Sequence, residues 1–580
     1  MRENWKSIIF YVLVTLVYFS RALFLESDLP PWGVASYQPV DEGTYANLAL
    51  NLINFGSIDP NDYYQGQYEF LMQPHVICNV VGNFFTALSL ICLGDNYFGL
   101  RMGVVFIGYL VLILFCLTIN ELRKAYGRED KNATVMALLL VVAFLASFVF
   151  FNATKAVEPS ITRLLFVQLV VFFLVKSNIS IQVRGFFVGL FVFASIFLVY
   201  VTNLFLGIPV IAYMIFIFAT QGKRQGGLFV LSGIIGAGLA LLLAAMYYGC
   251  LWDTTPIANA VNSVLIFEST GQAGGAYDVG ASNFIKNARA FLSSNAIFYA
   301  LPLMGILMTC LPLLFKQALK STGGPIVALL MTVIGFFAQT IVSDDFVVRK
   351  AVVVLPSLLL LFYCCYLYVI KQGEKERNCA RKIVKVVFSI LAIALMLYVT
   401  YYRLFCANGS TITKLDYSGF DIVLLIVSCA FSVILVGVFL VGLLTNKRKI
   451  ASGSFYTSVL VCIAINLCLV LNYNILNQTY SEKEAMIDLG KVANGQVIAG
   501  EYENGFTLYN DILPLLNDQK TLTMYLEDNP DLLYFDYSNA RSFSRDPQSL
   551  YQHIEEIATF ERDYQTFGKR RSMSLYEPEQ

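Results

Sequence analysis

The sequence predicts an all-α polytopic membrane protein with about thirteen transmembrane helices and a small extracytoplasmic α/β domain at the C-terminus. Of its 580 residues, 57% are hydrophobic and only 14% are charged, whereas soluble proteins carry about 25% charged residues. The mean hydropathy is +0.64. Apolar stretches of roughly 17 to 24 residues recur along the chain, and each can cross the hydrocarbon of a bilayer as a helix.

The first predicted span follows Arg2 and Lys6 and lacks a clean small-residue cleavage site, which favours a retained span over a signal peptide. The predicted spans occupy residues 8–25, 97–119, 133–152, 159–175, 185–201, 203–220, 227–247, 294–315, 325–342, 351–370, 384–401, 421–444 and 455–475. If each span crosses once and the N-terminus is cytoplasmic, all the basic clusters fall on the cytoplasmic side. Those clusters lie at 123–128, 176–184, 222–224, Lys316 with Lys320, 371–382 and 446–449.

One more apolar stretch, 74–95, would move every later basic loop to the outside if it crossed the membrane fully. We therefore predict that it lies as a helix in the outer interface or forms half of an unresolved pair. The segments 26–73, 248–292 and 478–580 are then extracytoplasmic.

The predicted domains are a transmembrane catalytic domain at 1–477, with 26–96 as its first outer loop, and an extracytoplasmic domain at 478–580. In the second domain the patterns predict a helix at 481–494, a strand at 496–502, a helix at 507–517 and a strand at 521–527.

Counts of charge and cysteine exclude some classes of function. Lys+Arg and Asp+Glu are equal at 40 each, so the chain has no global basic field that would indicate a nucleic-acid partner. The twelve cysteines lie mostly in apolar runs without zinc-like spacing, which is typical of small hydrophobic core residues.

The charged residues within or beside the spans are few and lie on the predicted outer side. Charges at bilayer depth cost several kcal/mol and so indicate function, although an arginine near a helix end also commonly snorkels to headgroups. No charge is predicted at the midplane, where an ion-coupled transporter would be expected to bind its ligand. This favours a reaction site at the outer surface. The residues are Arg21, Asp41, Glu42, Arg101, Lys155, Glu158, Arg163, Asp344, Asp345, Arg349 and Lys350.

These residue types suit the displacement of a lipid phosphate. Asp41 and Glu42 are adjacent, so on a helix they point about 100° apart, and we predict that one reaches the site while the other holds structure. Glu158 is the candidate second carboxylate. Arg349 and Lys350 can bind a phosphate, the arginine through its planar fork and the lysine as a point charge.

Four segments resemble the GT-C membrane glycosyltransferases, in particular the protein O-mannosyltransferases and lipid A aminoarabinose transferases. QPVDEGTYANLALNLINFGSI (38–58) resembles the first outer loop, whose Asp-Glu pair opens an amphipathic helix. LGDNYFGLRMGVVF (93–106), KAVEPSITRLLF (155–166) and RKAVVVLPSLLLL (349–361) follow in the family's order. The chain departs from the family at MQPHV (72–76), where His75 replaces a second proline, and at Glu158, which replaces an aspartate.

The resemblance implies a polyprenyl-phosphate sugar as donor, and a glycan, lipid or protein of the cell envelope as acceptor. The family's catalytic aspartate falls on Asp41, its second acid on Glu158, and its lipid-phosphate contact on Arg349 with Lys350 beside it. Arg101, Lys155, Arg163 and His75 are further candidate substrate contacts, although interfacial packing is the commoner role for a lone histidine.

Three alternatives stay open at this stage. Asp41 and Glu158 could hold a Mg²⁺- or Mn²⁺-type ion that binds with the substrate, whereas Arg349 and Lys350 could supply the positive charge unaided. A lipid or polysaccharide transporter is the alternative to an inverting glycosyltransferase. The tail, 478–580, is predicted to act either in acceptor recognition or as a structural cap.

Overall fold

The structure is a computed structural model that describes residues 2–30, 39–55, 79–126, 131–251, 301–342, 352–371, 379–401, 419–445, 447–493, 495–500, 507–515, 533–536, 554–566 and 569–578. In the first half of this described chain the helices are α1 Arg2–Phe19, α2 Pro39–Phe55, α3 Val80–Leu93, α4 Tyr97–Ala125, α5 Lys131–Ala146, α6 Phe148–Ala153, α7 Pro159–Val175, α8 Ile181–Leu198, α9 Gly207–Gln221 and α10 Lys223–Leu251. The later helices are α11 Leu301–Ala318, α12 Gly324–Val342, α13 Leu355–Lys371, α14 Cys379–Tyr401, α15 Gly419–Leu444, α16 Arg448–Val470 and α17 Ser481–Ala493.

The helices confirm the predicted polytopic membrane fold. Within the described residues, eight helices are long and apolar enough to cross a membrane, and six further apolar helices are shorter. Five of these six coincide with predicted spans, so every one of the predicted spans has its helix. The sixth is α3, in the stretch that was predicted to be interfacial or half of a pair.

Helix α3 forms a hairpin with α4. Its 14 residues reach about 21 Å, less than the ~30 Å of a hydrocarbon core. Gly94 ends α3 with a φ of 93°, a value that glycine adopts without strain. The side chain of Asn96 then caps α4 by accepting a hydrogen bond from Gly99 N–H. Because α4 is itself one of the thirteen predicted spans, this contact does not distinguish the two predicted arrangements, and the position of α3 in the bilayer stays a prediction.

Small residues allow close helix packing elsewhere in the bundle. A Cβ atom at Gly189 on α8 would collide with the carbonyl oxygen of Gly233 on α10. A side chain at this position would therefore push the two backbones apart, as expected where small residues bring transmembrane helices together.

The C-terminal region combines α17 with a five-stranded mixed sheet, which confirms the predicted α/β character. The sheet order is β2-β1-β3-β5-β4. The strands β1, β2 and β3 run parallel, whereas β5 pairs antiparallel with both β3 and β4. The strands are β1 Val497–Gly500, β2 Leu513–Leu515, β3 Leu533–Asp536, β4 Ile554–Thr566 and β5 Lys569–Pro578.

One predicted element of this domain is wrong. The helix predicted over 507–517 is instead a turn after residue 507 followed by strand β2. Pro514 explains the difference, because proline inside a helix removes a hydrogen bond and clashes with the preceding turn. Strand β2 lies at the edge of the sheet, a position that tolerates proline. The strand predicted at 521–527 lies outside the described residues.

Candidate functional site

A buried ion pair fixes helix α2, which carries the adjacent acidic residues Asp41 and Glu42. Arg101 on α4 donates from Nε to Glu42 Oε1 at 2.8 Å and from Nη2 to Glu42 Oε2 at 2.6 Å. Arg101 is 0% exposed and Glu42 is 2% exposed. The backbone N–H of Val157 also donates to Glu42 Oε1, at 3.1 Å. Glu42 therefore ties α2 both to α4 and to the turn before α7.

The remaining donors of Arg101 hold the chain that leaves α1. Its Nη1 donates to the carbonyl oxygens of Leu25 at 2.6 Å and Ser27 at 2.7 Å. The guanidinium carbon lies 4.0 Å from the ring centroid of Tyr97. A buried charge is tolerated when it is paired and its donors are satisfied, and the surroundings of Arg101 meet both conditions.

A second buried cation, Lys155, meets the same segment from the turn between α6 and α7. Its Nζ donates to Ser27 Oγ at 2.6 Å and to the carbonyl oxygen of Asp28 at 2.8 Å. Arg101 and Lys155 thus both bind the short segment 25–28. We call Asp28, Glu42, Arg101, Lys155 and Glu482 the buried charge cluster.

The C-terminal domain closes the buried charge cluster, because Asp28 caps the first turn of α17. Asp28 Oδ2 accepts hydrogen bonds from Ser481 N–H at 3.0 Å and Thr479 Oγ1 at 2.6 Å. Asp28 Oδ1 accepts one from Glu482 N–H at 3.0 Å. A carboxylate at a helix N-terminus satisfies free N–H groups and is favoured by the helix dipole. Here the capping residue lies more than 450 positions away in the sequence.

A neighbouring set of contacts ties the same two regions together nearer the surface. Lys483 Nζ lies 2.8 Å from Glu26 Oε2, and Tyr509 Oη donates to Glu26 Oε1 at 3.0 Å. Tyr509 Oη also accepts from Tyr97 N–H at 3.0 Å. On helix α2, Asn47 Oδ1 accepts from Thr507 Oγ1 at 3.0 Å. The C-terminal domain therefore contacts the α1 exit, α2 and α4.

Burial moves the pKa values of two members of the buried charge cluster, Lys155 and Glu482, close to neutral pH. Loss of solvation, with the nearby Arg101 charge adding to it, lowers the pKa of Lys155 to about 7. Loss of solvation, with the Asp28 carboxylate adding to it, raises the pKa of Glu482 to about 8. Groups with such pKa values change charge near neutral pH.

This shift predicts how pH acts on stability. Above the pKa of about 4.3 for an unfolded glutamate, the unfolded chain releases a proton that folded Glu482 retains up to about pH 8. The contribution of Glu482 to stability is therefore lost as pH rises through this window. We expect Glu482→Gln to unfold at the wild-type temperature at pH 5 and about 2 °C higher at pH 8, measured in detergent by scanning fluorimetry.

Glu484→Gln is the matched control for that measurement, because Glu484 is an exposed glutamate on the same helix. It should follow the wild type at every pH. A Glu482→Gln curve parallel to the wild type from pH 5 to pH 8 would contradict the shifted pKa.

Arg163 forms a separate polar group near the start of α7. Its Nε donates to Asn203 Oδ1 and its Nη2 to Gln339 Oε1, both at 3.1 Å. The Arg163 guanidinium also lies 5.0 Å from the ring centroid of Tyr200. Arg163 therefore joins α7, the 3₁₀ turn Val201–Leu206 and α12, the helix after which the basic pair Arg349 and Lys350 follows in the sequence.

Glu158 stands directly before Pro159, at the N-cap position of α7. It is 5% exposed, and its Oε2 accepts from Ser160 Oγ at 3.3 Å. Glu158 and Lys155 lie in the turn between α6 and α7, as the sequence predicts, and Val157 between them donates its N–H to Glu42. Neither Arg101 nor Lys155 donates a hydrogen bond to the Glu158 carboxylate.

The three arginines near the predicted outer helix ends do not snorkel to lipid headgroups. Arg21, Arg101 and Arg163 are each 4% exposed or less. Arg21 donates from Nε to the carbonyl oxygen of Tyr18 at 3.0 Å and lies over the Tyr18 ring. These three arginines are therefore not simple interface residues whose side chains extend to the headgroups.

Several predicted site residues lie outside the described residues: His75, Asp344, Asp345, Arg349, Lys350 and the side chain of Asp41. In the described part of the chain, no group of three or more His, Cys, Asp or Glu residues could hold a metal ion. Both carboxylate oxygens of Glu42 accept hydrogen bonds from Arg101, and one also accepts from the Val157 N–H, so Glu42 is not suited to binding a metal.

Sequence reasoning missed Asp28, Glu482, Asn203 and Gln339. Glu482, Asn203 and Gln339 are polar residues within or beside helices whose sequences are typical of ordinary solvated or membrane-spanning segments. No local signal indicated Asp28, because Ser481 and Glu484 fit the S-x-x-E pattern of a helix that caps itself. In the structure the carboxylate of Asp28 accepts from the N–H groups of this first turn instead.

Comparison with solved structures shows the fold of the whole chain. The apo structure of ArnT from Cupriavidus metallidurans matches with a TM-score of 0.55 and 13% identity, over 99% of this chain and 98% of that chain. The structure of the same protein bound to undecaprenyl phosphate matches with a TM-score of 0.53 and 12% identity, over 99% and 98%. No protein-family model and no curated protein matches the sequence. The chain therefore has the fold of these ArnT structures.

Proposed function

We propose that this chain is an integral membrane glycosyltransferase that moves a hexosyl or pentosyl group from a polyprenyl-phosphate carrier to an acceptor on the outer face. The observation that carries the proposal is the full-length likeness to ArnT, one of whose structures holds undecaprenyl phosphate. The buried charge cluster supports it, because the ion pair of Glu42 fixes the helix that carries Asp41. The acceptor is a glycan, lipid or protein of the cell envelope.

The proposed reaction inverts the anomeric carbon. Asp41 accepts the proton of the acceptor hydroxyl as its oxygen attacks C1 from the face opposite the phosphate. The bond from C1 to the phosphate oxygen breaks, and the polyprenyl phosphate leaves with the electron pair. Arg349 and Lys350 stabilise its charge, and because phosphate is a good leaving group no general acid is needed.

The geometry of the described residues refines the proposed roles of the other cations. Arg101 is a positioning residue, since its contacts go to Glu42 and to the segment 25–28. Lys155 positions the same segment. Arg163 donates to the side-chain amides of Asn203 and of Gln339, the latter near the end of α12. It stays a candidate contact for the donor. Glu158 is proposed as a sugar contact, and His75 as a headgroup contact.

The proposed orientation has the N-terminus in the cytoplasm and the C-terminal domain outside, following the basic loops. We further propose that residues 478–580 form a structural cap over the first outer loop of the 1–477 domain, supported by the Asp28 cap and the Glu26–Lys483 pair. Truncation after Gln478 is then expected to destabilise the whole protein. A truncated protein that unfolds at the wild-type temperature but no longer binds acceptor would instead support acceptor recognition.

The function is tested with the purified full-length protein in lipid nanodiscs. We expect one member of a panel of undecaprenyl-phosphate sugars to be consumed in the presence of a cell-envelope extract, with release of undecaprenyl phosphate measured by mass spectrometry. The same panel identifies the donor sugar. The transporter alternative predicts movement of the lipid across proteoliposome membranes with every donor left chemically intact, and that result would exclude the transferase.

Removal of divalent ions tests the proposed metal. Asp41 and Glu158 would hold a Mg²⁺- or Mn²⁺-type ion, which would supply positive charge near the donor phosphate; in that case excess chelator is expected to abolish transfer and added metal to restore it. Full activity in chelator would leave the positive charge to Arg349 and Lys350. The control measures release of undecaprenyl phosphate in the same buffer, with the chelator saturated by Mg²⁺ beforehand.

A further inference from the structure

A groove on the membrane-facing surface lies between α1, α4 and α5, at the end of the bundle that carries the basic loops. Its volume is about 340 Å³, near the lower end of the ~300–1,000 Å³ that is typical of ligand sites. Its walls are mainly apolar, with Phe10 from α1, Ile119 from α4, and Leu138 and Val141 from α5. Such walls suit a hydrocarbon chain.

Arg123 supplies a cation to this otherwise apolar groove. Its Nη2 donates to Asn120 Oδ1 at 3.0 Å and its Nη1 to Thr134 Oγ1 at 3.3 Å, so both acceptors are neutral. Its Nε is buried and has no hydrogen-bond acceptor among the described residues. The next residue differs, because Lys124 Nζ pairs with Glu121 at 3.0 Å.

The groove is remote from the buried charge cluster. Arg101 and Arg123 lie on the same helix, α4, and are 22 residues apart, which corresponds to about 33 Å along the axis. Because the hydrocarbon core is ~30 Å thick, the two arginines lie at opposite faces of the membrane. A lipid at Arg123 is therefore not a donor in position for the proposed reaction.

We propose that this groove binds an anionic phospholipid, with the phosphate on Arg123 and part of one acyl chain between α1 and α5. The planar fork of an arginine matches the oxygens of a phosphate, and the two acceptors that Arg123 contacts carry no charge to compete with one. Basic pockets between transmembrane helices on the cytoplasmic side are suited to anionic headgroups. The groove holds only part of a lipid, so the rest of the molecule stays in the bilayer.

Native mass spectrometry of the delipidated full-length protein tests this site. Phosphatidylglycerol and phosphatidylcholine are titrated separately, and the occupancy of the first bound lipid is measured. We expect the wild type to prefer phosphatidylglycerol. Arg123→Gln should weaken phosphatidylglycerol binding about five-fold and phosphatidylcholine binding less, because the choline cation offsets the charge of its phosphate. Lys124→Gln is the matched control, because it removes an equal charge one residue away and outside the groove lining.

A second variant tests the chain-binding part of the groove. Ala137 lines the groove and is 8% exposed, so Ala137→Trp fills the groove while Arg123 is kept. We expect it to weaken phosphatidylglycerol binding as Arg123→Gln does. Unchanged binding in both variants would overturn the proposal, as would an equal loss in Lys124→Gln, which would show a diffuse charge effect. A larger loss of undecaprenyl phosphate binding than of phosphatidylglycerol binding in Arg123→Gln would also overturn the assignment, because it would place a polyprenyl phosphate in the groove.

Discussion

Asp41→Asn is expected to reduce sugar transfer by about 10²- to 10⁴-fold, the usual contribution of a positioned general base. The asparagine side chain has nearly the same shape but cannot accept the proton of the acceptor hydroxyl at neutral pH. The loss should appear in kcat, because the donor is bound through its phosphate and not through Asp41. Release of undecaprenyl phosphate with saturating donor and acceptor measures it.

The unfolding temperature distinguishes a catalytic loss from a structural one. Asp41→Asn leaves the Glu42–Arg101 pair in place, so its unfolding temperature should equal that of the wild type. Glu42→Gln on the neighbouring residue is the matched comparison and should lose both stability and activity. An Asp41→Asn protein with wild-type kcat would remove Asp41 from the reaction.

Most of the fold was predictable from the sequence because the bilayer imposes a simple rule. A helix must be apolar over about 20 residues to cross it, so the spans are visible as composition alone. In the C-terminal domain no such rule applies. The segment 507–517 has apolar residues at helical spacing, yet Pro514 and its place at a sheet edge make it a strand.

The candidate site was predictable in its residue types but not in its connections. The sequence singled out Glu42, Arg101 and Lys155, and the helix geometry predicted different roles for Asp41 and Glu42. That Arg101 is the partner of Glu42 depends on how α2 packs against α4, because the two residues are 59 positions apart in the sequence. The contact of Asp28 with α17 spans almost the whole chain, and no local pattern indicates it.

Arg101→Met is expected to destabilise the protein by about 3–5 kcal/mol, the usual cost of leaving a buried charge without its partner. Glu42 would stay buried with only the Val157 amide as a donor, and the carbonyl oxygens of Leu25 and Ser27 would lose theirs. The unfolding temperature in detergent measures this loss of stability. Because α2 would lose its anchor, kcat should also fall, with the KM for donor changing less.

Two further variants distinguish the effect of breaking the Glu42–Arg101 ion pair from the effect of losing any buried arginine. The double variant Glu42→Gln with Arg101→Met removes both charges, so it should recover part of the stability that Arg101→Met loses, without recovering kcat. Arg184→Met is the control for loss of a buried arginine elsewhere, since Arg184 is 8% exposed and donates to Tyr213 Oη at 2.9 Å. It should lower stability and leave kcat unchanged. A double variant no more stable than Arg101→Met would show that Glu42 is not left uncompensated, and wild-type kcat in Arg101→Met would show that the ion pair does not position Asp41.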